Sequence, residues 1–145
     1  MNKPALFLRI ASGLILLEGV LHTIGGVFGK PYPGPMTTAW TAMQANHFSL
    51  IGADRTYAQV YIGFGLCITI SSFLEGLVLW LISNRIRAHG AVLRPIIGIF
   101  AVGYFALAVV AYTLIFVPPA ITNLLVFVCL ATAFATANQE PVTSE

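Results

Sequence analysis

The chain has 145 residues, of which 58% are hydrophobic and only 8% are charged, and its formal net charge is +2. A soluble protein of this size has a large surface relative to its volume, and typically carries roughly 25% charged residues. The composition therefore excludes a soluble domain and predicts that the lipid bilayer is the solvent for most of the surface. The sequence has no basic run or aromatic-interleaved basic patch, which argues against a nucleic-acid partner.

The first predicted element is a membrane helix over about residues 5–28, since a span needs roughly 20 mostly apolar residues. Lys3 followed by an apolar run also resembles a signal peptide. However, Arg9 and Glu18 interrupt the run, and no suitable small-residue cleavage site follows. We therefore expect a retained helix and not a cleaved leader.

A long connection follows this helix. Residues 30–35 carry prolines at alternate positions and cannot be helical. Beyond them, Met36, Trp40 and Phe48 roughly follow helical spacing, which predicts a short amphipathic helix over about Thr37–Leu50 at the membrane interface. A loop packed over the mouth of the bundle is the alternative.

Three further apolar segments qualify as membrane helices, at about residues 57–83, 93–117 and 120–137. Pro118-Pro119 separates the last two and predicts a tight antiparallel turn. Residues 138–145 form a polar tail. The predicted fold is an all-α membrane protein, an antiparallel bundle of four transmembrane helices in a single domain of residues 1–145, with a long extracytoplasmic loop between helices 1 and 2.

Positive charges indicate the orientation. Arg85, Arg87 and Arg94 form the densest cluster, between helices 2 and 3, and Lys3 and Arg9 lie near the N-terminus. Cytoplasmic loops carry an excess of lysine and arginine. We therefore expect both termini in the cytoplasm and a multi-pass location in the inner (plasma) membrane.

Glu18 and His22 form the first candidate functional pair, because an ionisable residue at mid-membrane costs about 2.5–3.5 kcal/mol and is normally retained for a reason. Four residues apart, they lie on one helix face and can hydrogen-bond. The pair either accepts a proton inside the bundle or forms an inter-helix contact that fixes packing.

Arg9 and Glu75 form a candidate structural pair. Counted from the midpoints of their helices, the two residues differ in depth by only about 3 Å, which predicts a buried ion pair between helices 1 and 2. Alternatively, Arg9 extends to the cytoplasmic headgroups and Glu75 finds a partner on helix 2 or helix 3.

Helix 2 also carries a stripe with four- and three-residue spacing, which we expect to face helix 1: Tyr61, Gly65, Ile68, Ser72 and Glu75. No motif of known cofactor chemistry occurs, so no cofactor is predicted. No metal site is predicted either, since the histidines lie in separate regions and the two cysteines have no metal-ligand spacing.

The chain resembles a group of uncharacterised bacterial integral-membrane proteins with four predicted helices, and more loosely the DoxX-like membrane proteins. The resemblance lies in the pattern HTxGG from His22, followed by FxxxGxxRxYxxxYxGFG from Phe48. It implies a bacterial inner-membrane location and no particular reaction. It draws attention to His22, Arg55 and Tyr61, which with Glu18 and Tyr57 make up the candidate polar cluster.

Three functions remain open at this point. The first is a binding, accessory or scaffold role for a lipid-soluble ligand or a membrane partner protein, and a homo-oligomer is compatible with it. The second is a proton-coupled exporter that uses Glu18, by analogy of architecture with small multidrug transporters. The third is a membrane enzyme acting on a lipid-soluble substrate, with Glu18 and His22 as the acid/base pair and Arg55 binding an anionic headgroup.

Overall fold

The computed structural model describes residues 3–137 and is mainly α-helical. Three helical stretches are long and apolar enough to cross a membrane: Lys3–Val27, Tyr57–Ile115 and Val117–Thr136. The all-α class predicted from the sequence is thus confirmed. The predicted polar tail, residues 138–145, lies outside the described residues.

The chain divides into two compact units. The larger unit contains the residues up to Glu18 together with those from Ser72 onward, and the smaller unit is Gly19–Ser71. Two of the long helices contribute to both units.

The first long helix begins as a regular α-helix, α1, over Lys3–Leu21. Its buried positions Leu8, Ala11 and Ile15 recur at three- and four-residue spacing, as expected for one face of an α-helix. From His22 to Val27 the backbone is π-helical. Such turns are rare and occur frequently at functional sites.

The connection between the long helices contains a short helix, α2, over Pro35–Ala45, and a β-hairpin of strands β1 (His47–Leu50) and β2 (Ala53–Thr56). A short helix was expected here, and α2 confirms it as far as Ala45. The expectation of helix over 47–50 was wrong, because these residues pair antiparallel with β2. The two turn residues, Ile51 and Gly52, both have positive φ, at 51° and 76°, which suits a two-residue hairpin turn.

The longest helix, α3, runs over Tyr57–Val110 and is interrupted at His89, whose φ of −129° and ψ of 30° are not helical. Glu75 and Tyr104 are hydrogen-bonded across this interruption at 2.6 Å. In a straight helix, 29 residues would separate them by about 44 Å. The chain therefore reverses direction near His89. A longer connection over residues 84–92 was expected, but helix occupies nearly all of it.

A second π-helical turn, Ala111–Ile115, follows α3, and the last helix, α4, spans Val117–Thr136. The break between them is the single extended residue Phe116. Pro118-Pro119 lie in the first turn of α4, where their missing N–H groups have no helical partner to lose. The helix therefore starts slightly earlier than the expected residue 120.

Packing within the larger unit is antiparallel. The rings of Phe105 and Phe127 have centroids 5.3 Å apart, and Arg94 Nε donates to the Phe134 carbonyl oxygen at 3.1 Å. These contacts join the part of α3 after His89 to α4. The buried centre of this unit is aliphatic, and its largest fully buried residues include Leu8, Leu79, Ile86, Ile97 and Leu130.

Candidate functional site

A short polar contact within the membrane-length stretch Tyr57–Ile115 joins Glu75 and Tyr104. The Tyr104 hydroxyl donates a hydrogen bond to Glu75 Oε2 at 2.6 Å. The two residues lie at nearly equal distances along the chain from His89, so the reversal there brings them face to face.

A groove lies beside this contact. It has a volume of about 220 Å³, is open on one side, and is lined by Glu75 and residues of α3 after the His89 break: Ile99, Phe100, Gly103, Tyr104 and Leu107. We call it the Glu75 groove. Apart from the Glu75 and Tyr104 polar groups, its lining is hydrocarbon, so it combines an apolar wall with one carboxyl group.

Glu18, predicted as a functional residue, belongs to the same unit and is partly buried. The larger unit therefore contains two partly buried carboxyl groups, Glu18 and Glu75.

Arg9 interacts with the end of the α3 segment that precedes His89. Its guanidinium donates to Asn84 Oδ1 at 3.0 Å and to Ser83 Oγ at 3.4 Å, and lies 5.2 Å from the ring centroid of Trp80. The hydrogen bonds described for Arg9 and Glu75 go to different residues, and the ion pair between Arg9 and Glu75 stays a prediction.

His22 lies in the smaller unit, at the start of the first π-helical turn. Its Nε2 is 3.2 Å from the Gly65 carbonyl oxygen. Because a carbonyl oxygen only accepts, Nε2 carries the hydrogen in this contact. The Thr23 and Thr69 hydroxyls meet at 2.9 Å one turn away, and Thr69 also donates to the Gly65 oxygen at 3.1 Å. The described partner of the imidazole is therefore backbone, and its pairing with Glu18 stays a prediction.

The other members of the predicted cluster lie around the hairpin. Arg55 donates to the carbonyl oxygen of its neighbour Asp54 at 2.7 Å. Tyr57 packs on Phe48, with ring centroids 5.0 Å apart. Tyr61 meets Trp40 edge-on at 6.1 Å, which holds α2 against the start of α3.

These contacts are with residues outside the cluster. Within the smaller unit, the structure describes no contact that joins His22, Arg55, Tyr57 and Tyr61 to one another. A shared site formed by these residues remains a prediction.

A second groove differs in its chemistry from the Glu75 groove. It has a volume of about 310 Å³ and lies between the end of α3 and the start of α4, with an almost entirely apolar lining: Phe105, Ala108, Val109, Tyr112, Val117, Ala120, Ile121 and Leu124. It contains no carboxyl group. In the part of the chain that the structure describes, no group of three His, Cys, Asp or Glu side chains is placed to hold a metal ion.

Sequence reasoning placed Glu75 at an inter-helix contact but did not assign Tyr104 to a site. Ser12, whose hydroxyl donates to the Gly76 carbonyl oxygen at 2.7 Å, and the Thr23–Thr69 pair were also missed. No sequence signal identifies Tyr104 as the partner of Glu75, because the pairing depends on the residue at which the chain reverses.

The chain was compared with protein-family models, with curated proteins and with solved structures, and no match was found. The resemblance described above is therefore neither supported nor contradicted by these comparisons. Function has to be argued from the geometry of the chain itself.

Proposed function

We propose that the protein is a four-span bacterial inner-membrane protein that binds a small lipid-soluble ligand in the Glu75 groove. The observation that carries this proposal is the groove itself, an open apolar recess with one hydrogen-bonded carboxyl–phenol pair in its wall. Ligand sites are usually concave and mostly apolar, with a few placed polar groups that fix orientation.

The length of α3 supports the proposed count of four spans. Its 54 residues would extend about 81 Å as a straight helix, whereas the hydrocarbon core of a bilayer is about 30 Å thick. Reversal near His89 makes two spans of it, and α1 and α4 supply the other two. The exposed Arg85 and Arg87 just before the reversal favour a cytoplasmic position for that end.

The size of the groove restricts the ligand. Its volume of about 220 Å³ lies below the roughly 300–1,000 Å³ of typical small-molecule pockets. Residues 99–107 extend along about 12 Å of helix. These dimensions suit a ligand with a short alkyl or aryl body and not a whole phospholipid.

Photolabelling tests the proposal. The purified protein in phosphatidylcholine nanodiscs is exposed to a photoreactive octanol, and the labelled residues are located by mass spectrometry. We expect labelling of residues 99–107 that excess unlabelled octanol suppresses. Labelling that is spread evenly over the lipid-facing residues and cannot be suppressed would contradict the proposal.

The Gly103→Leu variant tests whether the suppressible photolabelling depends on the Glu75 groove. A Cβ at Gly103 has no atom within 4 Å, so a side chain can be added there without a backbone clash and would fill the groove. Gly13→Leu is the control, because Gly13 is equally open and does not line the groove. We expect Gly103→Leu to lose the suppressible labelling and Gly13→Leu to retain it.

Proton-coupled export remains the second candidate, and the partly buried position of Glu18 in a membrane-length helix favours it because a carboxyl group there can exchange a proton. In liposomes, a transported substrate would drive proton movement that Glu18→Gln abolishes. Absence of such movement with every cation tested would end this candidate.

A further inference from the structure

Glu75 has spare capacity to accept hydrogen bonds. A carboxylate has two oxygens and about four lone-pair sites. Within residues 3–137, the hydrogen bond described for Glu75 is the one from Tyr104, which occupies one site on Oε2. The remaining acceptor sites belong to a side chain that lines an open groove.

The unused acceptor sites of Glu75 matter because the side chain has apolar surroundings. The rest of the groove is formed by aliphatic and aromatic side chains, with the exposed Ile99 and Leu107 at its edges. A carboxylate next to hydrocarbon is strongly disfavoured unless a proton or a cation neutralises it. A phenol donor reduces this cost but does not remove the charge.

The cations that could neutralise Glu75 from within the same unit have other described partners. Arg94 lies 4.3 Å from the ring centroid of Phe134 and donates to its backbone. Arg9 engages Asn84, Ser83 and Trp80. Glu18 is a second partly buried carboxyl group of the same unit.

We propose that the ligand of the Glu75 groove is a lipophilic amine, whose ammonium group pairs with the Glu75 carboxylate while its apolar body lies along residues 99–107. The inference rests on the proposed function and specifies its ligand class. An ammonium group donates to the unused carboxylate sites and brings its own compensating charge, whereas a neutral alcohol supplies a hydrogen bond alone. Tyr104 keeps its hydrogen bond to Glu75 and so holds the carboxylate in position.

The test compares two probes of the same length, a photoreactive octylamine and a photoreactive octanol, in phosphatidylcholine nanodiscs at neutral pH. Labelling of residues 99–107 is divided by labelling of residues 117–121 in the second groove, which corrects for partition of each probe into the bilayer. We expect the corrected labelling by the amine to exceed that by the alcohol by about tenfold, as charge-assisted hydrogen bonding typically provides.

Glu75→Gln keeps the shape of the side chain and removes its charge. We expect it to abolish the preference for the amine over the alcohol. Glu75→Asp keeps the charge and should retain a preference for the amine, which shows that loss in the glutamine variant is not a folding defect. Melting curves of both variants provide the check on folding.

The outcomes separate the two proposals. In one outcome, amine and alcohol label the wild-type Glu75 groove equally and Gly103→Leu blocks both. This outcome overturns the amine inference and still supports the groove as a ligand site. A preference for the amine that survives in Glu75→Gln also overturns the inference. Absence of suppressible labelling with either probe overturns the inference together with the proposed function.

Discussion

The Tyr104 hydroxyl contributes to stability as well as to the candidate site. It reaches Glu75 from the opposite arm of the α3 reversal, so the bond holds the two arms together. Hydrogen bonds between membrane helices contribute about 0.6 kcal/mol on average and up to about 1.7 kcal/mol. The short distance and the carboxyl acceptor put this bond towards the upper end of that range.

Tyr104→Phe should therefore lower the free energy of unfolding by about 1 kcal/mol. Tyr112→Phe is the control, because the Tyr112 side chain is 72% exposed and its hydroxyl has no partner in the described structure. Reversible unfolding in mixed micelles, with increasing fractions of denaturing detergent, measures both variants. A Tyr104→Phe variant as stable as the wild type would show that the hydrogen bond has no net effect.

Gly76 permits a close crossing of α1 and α3 in the larger unit. The Ser12 hydroxyl donates to its carbonyl oxygen at 2.7 Å, and a Cβ added at Gly76 would lie 2.8 Å from both Cγ and Cδ2 of Leu16. Small residues at such crossings let the two backbones approach. A larger residue has to displace Leu16 or separate the helices.

Gly76→Val should thus destabilise the protein by about 1–3 kcal/mol, the usual range for overpacking. Gly13→Val introduces the same side chain at an open position of α1 and controls for the change in helix propensity. The same unfolding assay applies. If both variants lose equal stability, the crossing at Gly76 is not the cause.

At the scale of elements, the β-hairpin has an unusual turn. Ile51 has a positive φ of 51° and is 97% exposed. A left-handed conformation costs an L-residue roughly 1–2 kcal/mol, and a β-branched residue there is a genuine outlier. Asparagine and glycine are the residues that such turns normally contain.

Ile51→Asn should accordingly stabilise the hairpin by about 1 kcal/mol. The measurement is amide hydrogen exchange of strands β1 and β2, which should slow. Leu50→Asn is the control, since Leu50 is 62% exposed but lies in β1 and not in the turn. Exchange that slows equally in both variants would mean that reduced hydrophobic exposure, and not turn conformation, causes the effect.

At the scale of the whole molecule, the proposed four-span arrangement would assign each connection to one side of the membrane. The segment that contains α2 and the hairpin is expected outside, and the reversal at His89 is expected in the cytoplasm with Arg85 and Arg87. Neither assignment depends on the identity of the ligand.

Reporter fusions test this arrangement. Alkaline phosphatase, which is active only outside the cytoplasm, should be active when fused after Ala45 and inactive when fused after Ala88. A fluorescent protein that matures only in the cytoplasm should give the opposite pattern. Phosphatase activity at both junctions would contradict the reversal of α3 as a cytoplasmic turn.

Hydropathy predicted the membrane-length helices, and the helical spacing of Met36, Trp40 and Phe48 indicated the short helix after the proline-rich stretch. A membrane span is recognised from the summed hydropathy of roughly 20 neighbouring residues, and this sum can be calculated from the sequence without knowledge of the fold. The sequence did not predict the β-hairpin, because its turn requires a positive φ at Ile51 and isoleucine does not favour that conformation.

The partners of the polar side chains were decided by the tertiary structure. Two antiparallel helices are joined at a reversal of the chain. If the reversal moves by one residue, the position that faces a given residue on the other helix moves by two residues. Two residues correspond to a rotation of about 200° around the facing helix. A connection over residues 84–92 centres on residue 88 and would put Ala101 opposite Glu75. Reversal at His89 moves the facing position to about residues 103 and 104, and Tyr104 is the residue that meets Glu75. Composition thus determined the medium and the elements of this protein, while the position of one non-helical residue decided which side chains meet inside it.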